Sequence, residues 1–310
     1  MTQHTTPIVD RYIQDELALL RVQTPHGQAV IAEQGAQLLE YTPTGQHPLV
    51  WLSEQAAYRR GESVRGGVPV CWPWFGDLAR NPAQVRAGVD AAHHDQAPKH
   101  GFVRTLDWTH AETAIEPESV TLIFKLEVSG GSFGWAQPAH LTLRFRLAET
   151  ITIELGVTNA SNEPMVVSQA LHTYFAVSDV RQVQVRGVEG ASFIDTLDDW
   201  KTKTQAGPLT IGAETDRLYL NLGDRLSIDD PGWGRRIEIQ TAHSASAVIW
   251  NPWIDKAARL SQFDDDAWPQ MLCIETARVW DNLLSIAPGD TAYMAVHLQA
   301  RPLAPATAPR

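Results

Sequence analysis

Cysteine is scarce in this chain of 310 residues, and its two copies, Cys71 and Cys273, lie far apart and form no CxxC pair. This excludes a disulfide framework and favours a reducing compartment. The HExxH, GxSxG and GxxxxGK[ST] motifs are also absent, which removes the most easily recognised zinc-protease, serine-hydrolase and nucleotide-binding classes. No apolar run approaches the roughly 18 residues that a membrane-spanning helix needs.

Positive charge is in deficit, with 25 Lys and Arg against 36 Asp and Glu, a formal net charge of −11. Nucleic acids and anionic membranes are held by patches of Lys and Arg, so neither is an expected partner. An anionic ligand would have to meet a small, concentrated cationic pocket. The first twenty residues show no basic segment followed by an apolar one, so we expect a cytoplasmic protein.

Helical periodicity is rare, and the strongest pattern has a period of two. Apolar and polar residues alternate over 120–128, 141–147 and 151–157, as they do in strands that bury one face. Further strand-like runs occupy 182–188, 226–229, 236–241, 245–250 and 293–299. Many short strands without interleaved helices predict an all-β protein, a large antiparallel β-sandwich with few short helices.

No change of composition or linker divides the interior, which predicts one domain over 1–300. The Pro- and Ala-rich stretch 301–310 is expected to be a disordered tail. Residues 77–98 are small and polar and predict a long loop. The pair His93 and His94 in that loop is expected to be solvated, and neither a metal nor another cofactor is predicted.

Six clusters combine Trp, Gly and ionisable residues, and they are Arg65–Gly76, Lys99–Arg104, Leu171–Phe175, Thr215–Tyr219, Trp250–Trp253 and Cys273–Thr276. At these residues the chain resembles the hexose-6-phosphate mutarotases, or glucose-6-phosphate 1-epimerases, of the galactose-mutarotase-like superfamily. The resemblance extends from about residue 30 to 300, with the motifs in the family's order. It implies a single β-sandwich whose site lies on the concave face of one sheet, with no cofactor or metal.

The resemblance also implies the roles of individual residues. His172 matches the family's general acid and Glu275 its general base. The sugar-binding His and Asp correspond to His100 and Asp216. The partner expected from this likeness is a small-molecule sugar phosphate, bound by a monomeric protein.

Two arginines and a tryptophan complete the expected site. Arg65 and Arg104 match cationic positions suited to a 6-phosphate, because a guanidinium can hold phosphate through two parallel hydrogen bonds. Arg65 also precedes Gly66 and Gly67, whose N–H groups are candidates for an anion-binding nest. Trp74 is expected to pack against the sugar, since indole rings cover the C–H faces of pyranoses.

Anomer interconversion needs one base at the C1 hydroxyl and one acid at the ring oxygen. The proposed pair therefore requires a charged His172 and a charged Glu275 near neutral pH. Glu275 stands between apolar residues and must be paired, exposed or functional. From the residues alone, a hydrogen-bonded core residue is the favoured interpretation of His172. Asp216 is equally the partner of Arg217 in a surface ion pair, and Arg104 is equally a solvated side chain.

Two departures from the family pattern bear on the substrate. The 77–98 segment is longer than usual, and Lys99 occupies a position that is often a small or amide residue. The longer segment adds a flexible element beside the site, and Lys99 adds a cation. The identity of the preferred sugar therefore does not follow from the resemblance. The alternatives are an aldose 1-epimerase acting on neutral sugars and a non-catalytic sugar-phosphate binding protein.

Overall fold

The computed structural model describes residues 6–303, and strands make up most of its regular structure. Strands β1 to β9 are Ile8–Gln14, Leu17–Thr24, Gly27–Ala32, Leu38–Pro43, Val70–Cys71, Thr109–Glu116, Ser119–Val128, Ala139–Leu147 and Ile151–Asn159. Strands β10 to β16 are Met165–Val167, Gln169–Leu171, Tyr174–Ala176, Gln184–Arg186, Ser192–Asp195, Lys201–Thr204 and Thr215–Leu220. Strands β17 to β22 are Arg225–Asp230, Arg235–Ala242, Ser246–Asn251, Met271–Arg278, Leu284–Ile286 and Thr291–Pro302.

Helices are few and short throughout the described chain. The two α-helices, α1 and α2, are Ala83–Arg86 and Trp253–Ala257. Short 3-10 helices occupy Leu78–Arg80, Ala91–Gln96, Val103–Thr105, Ser132–Gly134, Trp268–Gln270 and Trp280–Asn282. No helix within residues 6–303 has the length and apolar character to span a bilayer.

Two eight-stranded antiparallel sheets dominate the architecture. The first, here called the site sheet, has the order β15-β14-β16-β19-β20-β11-β5, with β12 also paired to β20. The second, the back sheet, has the order β13-β17-β18-β22-β9-β8-β7-β6. A four-stranded sheet of β1 to β4 and the pair β10-β21 complete the fold. The all-β antiparallel sandwich with few short helices is therefore confirmed.

The main core is built from apolar residues of both large sheets. On β8 of the back sheet Leu141, Leu143 and Phe145 are buried, while the residues between them are more exposed, so every second side chain faces inward. These residues belong to the same buried cluster as Ile249 and Ile274 of the site sheet. The period-two segments predicted from the sequence thus form the inner face of the back sheet.

Two expectations about irregular segments need correction. Residues 77–98 are not a loop without structure, because they contain α1 and two of the 3-10 turns. The expected disordered tail starts too early, since Arg301 and Pro302 form the end of β22 and pair with Arg236 and Arg235 of β18. Positions 304–310 of that tail lie outside the described residues.

Gly101 fixes a tight approach of two backbones next to the site sheet. Its φ is +68°, and a Cβ at this position would collide with the carbonyl oxygen of Trp72. Its neighbour His100 also has a positive φ, +66°. The chain reversal that carries His100 therefore depends on a residue without a side chain.

We expect Gly101→Ala to lower the free energy of unfolding by more than about 4 kcal/mol, because backbone has to move to relieve the collision. Gly45→Ala is the matched control, since Gly45 has a φ of +71° with nothing within 4 Å of an added Cβ. The control should lose only roughly 1–2 kcal/mol from the left-handed backbone. Urea unfolding of both variants checks this, and equal losses would contradict the role of the close approach.

Candidate active site

A cavity of about 560 Å³ opens over one face of the site sheet. Its floor follows from strand register, because residues paired across antiparallel strands present their side chains on the same face. Glu275 on β20 pairs with Val248 on β19, which pairs with Leu218 on β16. All three line the cavity. Glu275 thus lies among aliphatic side chains at the centre of the sheet.

His172 is the partner of this carboxylic acid. It follows directly after β11, and its backbone N–H donates to the carbonyl of Pro69 at 2.9 Å. Its imidazole stacks on Tyr174 with ring centres 4.9 Å apart and an angle of 9°. Nε2 of His172 lies 3.4 Å from Oε1 of Glu275. The predicted acid and base are therefore in direct reach of one another.

Burial controls the protonation of this pair, with exposures of 7% for His172 and 1% for Glu275. Burial, followed by the charges of Arg104 and Arg65, lowers the pKa of His172 from 6.5 to about 3. Burial also raises the pKa of Glu275 well above 4.5, helped by Asp216 and opposed by Arg104. The two ions would attract each other across 3.4 Å, but removing both from water carries a desolvation cost that can exceed this attraction.

Both pKa directions favour a neutral pair in which the shared proton lies on Glu275. This differs from the charged His172 and charged Glu275 that the sequence argument requires near neutral pH. The difference arises because the desolvation of each group depends on its surroundings in the fold. Oε2 of Glu275 is buried and has no hydrogen-bond partner among residues 6–303.

His100 lies beside the pair, 5.3 Å from His172 between ring centres. The N–H of Gly76 donates to Nδ1 of His100 at 3.3 Å, and Sγ of Cys71 is 3.4 Å from the same nitrogen. Burial lowers the pKa of His100 well below 6.5, so the ring is neutral. Because Nδ1 accepts, the ring hydrogen resides on Nε2. His100 thus has a fixed tautomer, with Nε2–H as its remaining donor.

Both predicted phosphate arginines line the cavity and are held by backbone carbonyls. Nε of Arg65 donates to the carbonyl of Ser261 at 3.2 Å, and one terminal nitrogen of Arg104 donates to the carbonyl of Lys99 at 2.9 Å. Neither forms an ion pair with a carboxylate in the described part of the chain. The anion nest expected after Arg65 is absent, because the N–H of Gly67 donates to the carbonyl of Trp51.

Asp216 also lines the cavity, in the register row of Trp250 and Cys273. Burial raises its pKa. The alternative surface ion pair does not form, since Arg217 donates to Gln205 and lies over the ring of Phe193. Successive residues of a strand point to opposite faces, which separates Asp216 from its neighbour.

The expectation for Trp74 is not met, because its side chain is fully buried and lies outside the cavity. Its indole N–H donates to the carbonyl of Pro98 at 2.8 Å. The tryptophans that line the cavity are instead Trp250, Trp200 and Trp280, together with Phe75 and Tyr174. Trp250 belongs to a recognised motif, whereas Trp200 and Trp280 carried no sequence signal.

Potential metal ligands do not cluster: within residues 6–303, no group of three or more His, Cys, Asp or Glu is arranged to hold a metal ion. Both cysteines are free and buried. Burial raises the pKa of the Cys71 and Cys273 thiols, which keeps them protonated. The titratable pair in direct contact within the cavity is His172 and Glu275.

We predict that His172 does not titrate between pH 5 and pH 8, because its pKa of about 3 keeps the ring neutral over that range. The pKa of His172 is lower in the folded protein than in the unfolded chain. The free energy of unfolding therefore falls as the pH drops from about 6.5 toward about 3, because the unfolded chain binds the proton first. The ring resonances of His172 are assigned as those that disappear in His172→Gln. Their chemical shifts are then followed by proton–carbon NMR as a function of pH, with free histidine as the reference. A midpoint between pH 6 and pH 7 would contradict the neutral pair.

The aldose 1-epimerase family profile matches residues 18–299 of this chain. A protein of Escherichia coli (strain K12), provisionally named glucose-6-phosphate 1-epimerase, is 35% identical over 277 residues, covering 89% of this chain and 88% of that protein. A Salmonella typhimurium protein with the same provisional name is 34% identical over 280 residues, covering 88% of this chain and 87% of its own.

Solved structures show the same relationship. The crystal structure of a provisionally named mutarotase from Salmonella typhimurium superposes with a TM-score of 0.84 at 30% identity, covering 95% of this chain and 94% of that one. Galactose 1-epimerase from Lactobacillus acidophilus NCFM shares the fold, with a TM-score of 0.72 at 11% identity over 97% of this chain and 100% of its own. The resemblance inferred from the motifs is confirmed, and the chain belongs to the aldose 1-epimerase family.

Proposed function

We propose that this protein interconverts the α and β anomers of an aldohexose 6-phosphate of the glucose 6-phosphate type, without a cofactor. The observation that carries the proposal is the buried His172–Glu275 pair, 3.4 Å apart, in a cavity that also presents two arginines without carboxylate partners among the described residues. An acid, a base and unpaired guanidinium groups are the parts that mutarotation of a phosphosugar requires.

The reaction needs two proton transfers at neighbouring oxygens. The base takes the proton of the C1 hydroxyl while the acid protonates the ring oxygen O5. The C1–O5 bond then breaks, and the lone pair on O1 forms the carbonyl. After rotation about C1–C2, the C5 hydroxyl attacks the other face of the aldehyde, and both protons return. The two groups exchange roles between opening and closing.

We assign the acid to His172 and the base to Glu275, as in the family that the motifs resemble. In the resting site the proton lies on Glu275, so it has to move to His172 before ring opening. The 3.4 Å between Nε2 and Oε1 allows direct transfer within the pair. After ring opening, Glu275 holds the proton from O1, and His172 has given its proton to O5. The pair then again carries one proton, so ring closure needs no proton exchange with water.

A phosphate on the arginines would act on both members of the pair. Arg104 and Arg65 are the charges that lower the pKa of His172 after burial. A dianion bound to them offsets part of their positive field, which makes the imidazolium less costly. Because Arg104 also lowers the pKa of Glu275, the same dianion strengthens the hold of that carboxyl group on its proton. The advantage of a phosphosugar over a neutral sugar therefore lies in its binding to the arginines.

The sugar itself would be held by groups around the pair. His100 offers Nε2–H and Asp216 a carboxyl group, and both are suited to sugar hydroxyls. Trp250 lies 6.4 Å from His172 between ring centres, close enough to cover the pyranose in place of Trp74. Relatives provisionally named glucose-6-phosphate 1-epimerase support the choice of phosphosugar.

Glu275→Gln is expected to fold and to lose nearly all catalysed exchange, since the amide cannot carry the shared proton. Positioned proton transfer is worth roughly a hundred- to ten-thousand-fold, so a loss of that size is expected. Exchange NMR on glucose 6-phosphate measures the rate after subtraction of the spontaneous reaction, and thermal unfolding verifies the fold. A variant that keeps most of its activity would overturn the assignment.

Arg65→Ala and Arg104→Ala test the phosphate site. Each removes hydrogen bonds to a charged group, so kcat/KM for glucose 6-phosphate should fall roughly tenfold to a hundredfold. The rate with glucose in the same variants is the internal control and should change little. Equal losses with both sugars would favour the alternative, an aldose 1-epimerase for neutral sugars. Unchanged exchange at saturating wild-type protein would favour a sugar-phosphate binding protein.

A further inference from the structure

Positive charge is concentrated in the cavity well beyond the two predicted arginines. The lining side chains include five cations against three carboxylic acids, and the cations are Arg65, Arg80, Lys99, Arg104 and Lys256. None of the five forms an ion pair in the described part of the chain. This excess stands out in a protein of net charge −11. Arg80 belongs to the long 77–98 segment and matches no family motif.

The turn that carries Arg80 is anchored to its surroundings. The Asp77 side chain caps it by accepting from the N–H of Ala79 at 3.0 Å. The Asn81 amide donates to the carbonyls of Phe75 and Asp77 at 2.8 and 2.9 Å, and its oxygen accepts from the hydroxyl of Ser168. The 3-10 turn therefore has a defined place at the cavity edge.

Aromatic stacking holds the Arg80 side chain without neutralising it. Its guanidinium lies 5.3 Å from the ring centre of Trp200. Trp200 in turn stacks on Trp280, with ring centres 5.3 Å apart and an angle of 19°. Both indoles line the cavity. A cation over an aromatic face keeps its full charge and its donors, so Arg80 remains able to bind an anion.

Arg80 occupies a different part of the cavity from the phosphate arginines. Its side chain is exposed, whereas Arg65 and Arg104 are half-buried. The Arg80 guanidinium lies over Trp200, whereas Arg65 donates to Ser261 and Arg104 to Lys99. Arg80 is thus an exposed cation at the rim of the cavity.

We propose that Arg80 is a specificity-determining residue that captures the phosphate dianion at the rim, before the substrate reaches Arg65 and Arg104. This rests on the proposed function. The net charge of −11 repels a dianionic sugar from most of the surface, and a local cation at the mouth reverses the field where entry occurs. Neutral sugars gain nothing from this charge.

The test compares Arg80→Ala with Arg86→Ala in exchange NMR. Arg86 is exposed, lies in the same segment and does not line the cavity, so its loss changes net charge equally. At low ionic strength, Arg80→Ala should lower kcat/KM for glucose 6-phosphate by about tenfold with kcat unchanged. The difference should shrink toward 1 M salt, where the Debye length is about 3 Å. Exchange of glucose should be unaffected.

Two further variants separate charge from structure. Arg80→Lys should keep much of the wild-type kcat/KM, because the charge remains at the rim. Trp200→Leu should lose part of it by releasing the guanidinium. The proposal is overturned if Arg80→Ala behaves like Arg86→Ala, if glucose is affected equally, or if the loss is independent of salt.

A binding measurement keeps this inference distinct from the proposed function. Calorimetry of glucose 6-phosphate binding to Glu275→Gln, with and without Arg80→Ala, reports capture without turnover. If the wild-type protein fails to accelerate exchange while Arg80→Ala weakens binding at low salt, the proposed function fails and the rim site stands. If affinity is unchanged by Arg80→Ala, the rim site fails whatever the wild type catalyses.

Discussion

The burial of a carboxylic acid beside an imidazole is the constraint on which the rest of this structure depends. Glu275 is in the middle of β20, where aliphatic neighbours remove its water, and His172 meets it from the end of β11. A site that isolates two titratable groups in this way holds one proton between them. The apolar side chains of the surrounding sheet lower the local polarity, and the cations of the cavity shift the pKa values of the pair.

Backbone geometry places the remaining groups around this pair. The left-handed residues His100 and Gly101 bring the imidazole of His100 next to Cys71 and His172. The N–H of Gly76 then selects the tautomer of that ring. These contacts join segments from separate parts of the chain, so the site exists only when the site sheet and its loops are assembled. The same turns therefore contribute to the stability of the fold and to the position of His100 in the site.

Much of the fold followed from the sequence because a period of two is a local property. The alternation at Leu141, Leu143 and Phe145 predicts a strand with one buried face, whatever it pairs with. The motif residues His172 and Glu275 were also identified, and the fold brings them together. Their roles as acid and base stay a prediction.

The rest could not follow, because it depends on contacts between distant segments. Trp74 and Trp250 both belong to recognised motifs, yet Trp74 is in the core and Trp250 lines the cavity, which depends on how distant segments pack together. Trp200, Trp280 and Arg80 come from three segments that are far apart in the sequence, so no spacing in the sequence connects them. The neutral state of the buried pair could not be predicted, because it depends on how deeply both groups are buried and the sequence does not give that depth.

The central claim is that the wild-type protein opens and recloses a phosphosugar ring faster than solvent does. Two-dimensional exchange NMR with catalytic amounts of protein measures this directly, with glucose 6-phosphate and glucose under identical buffer conditions. The account predicts strong acceleration of α-to-β exchange for the phosphosugar and much less for glucose. A folded protein that accelerates neither sugar, or both equally, would contradict it.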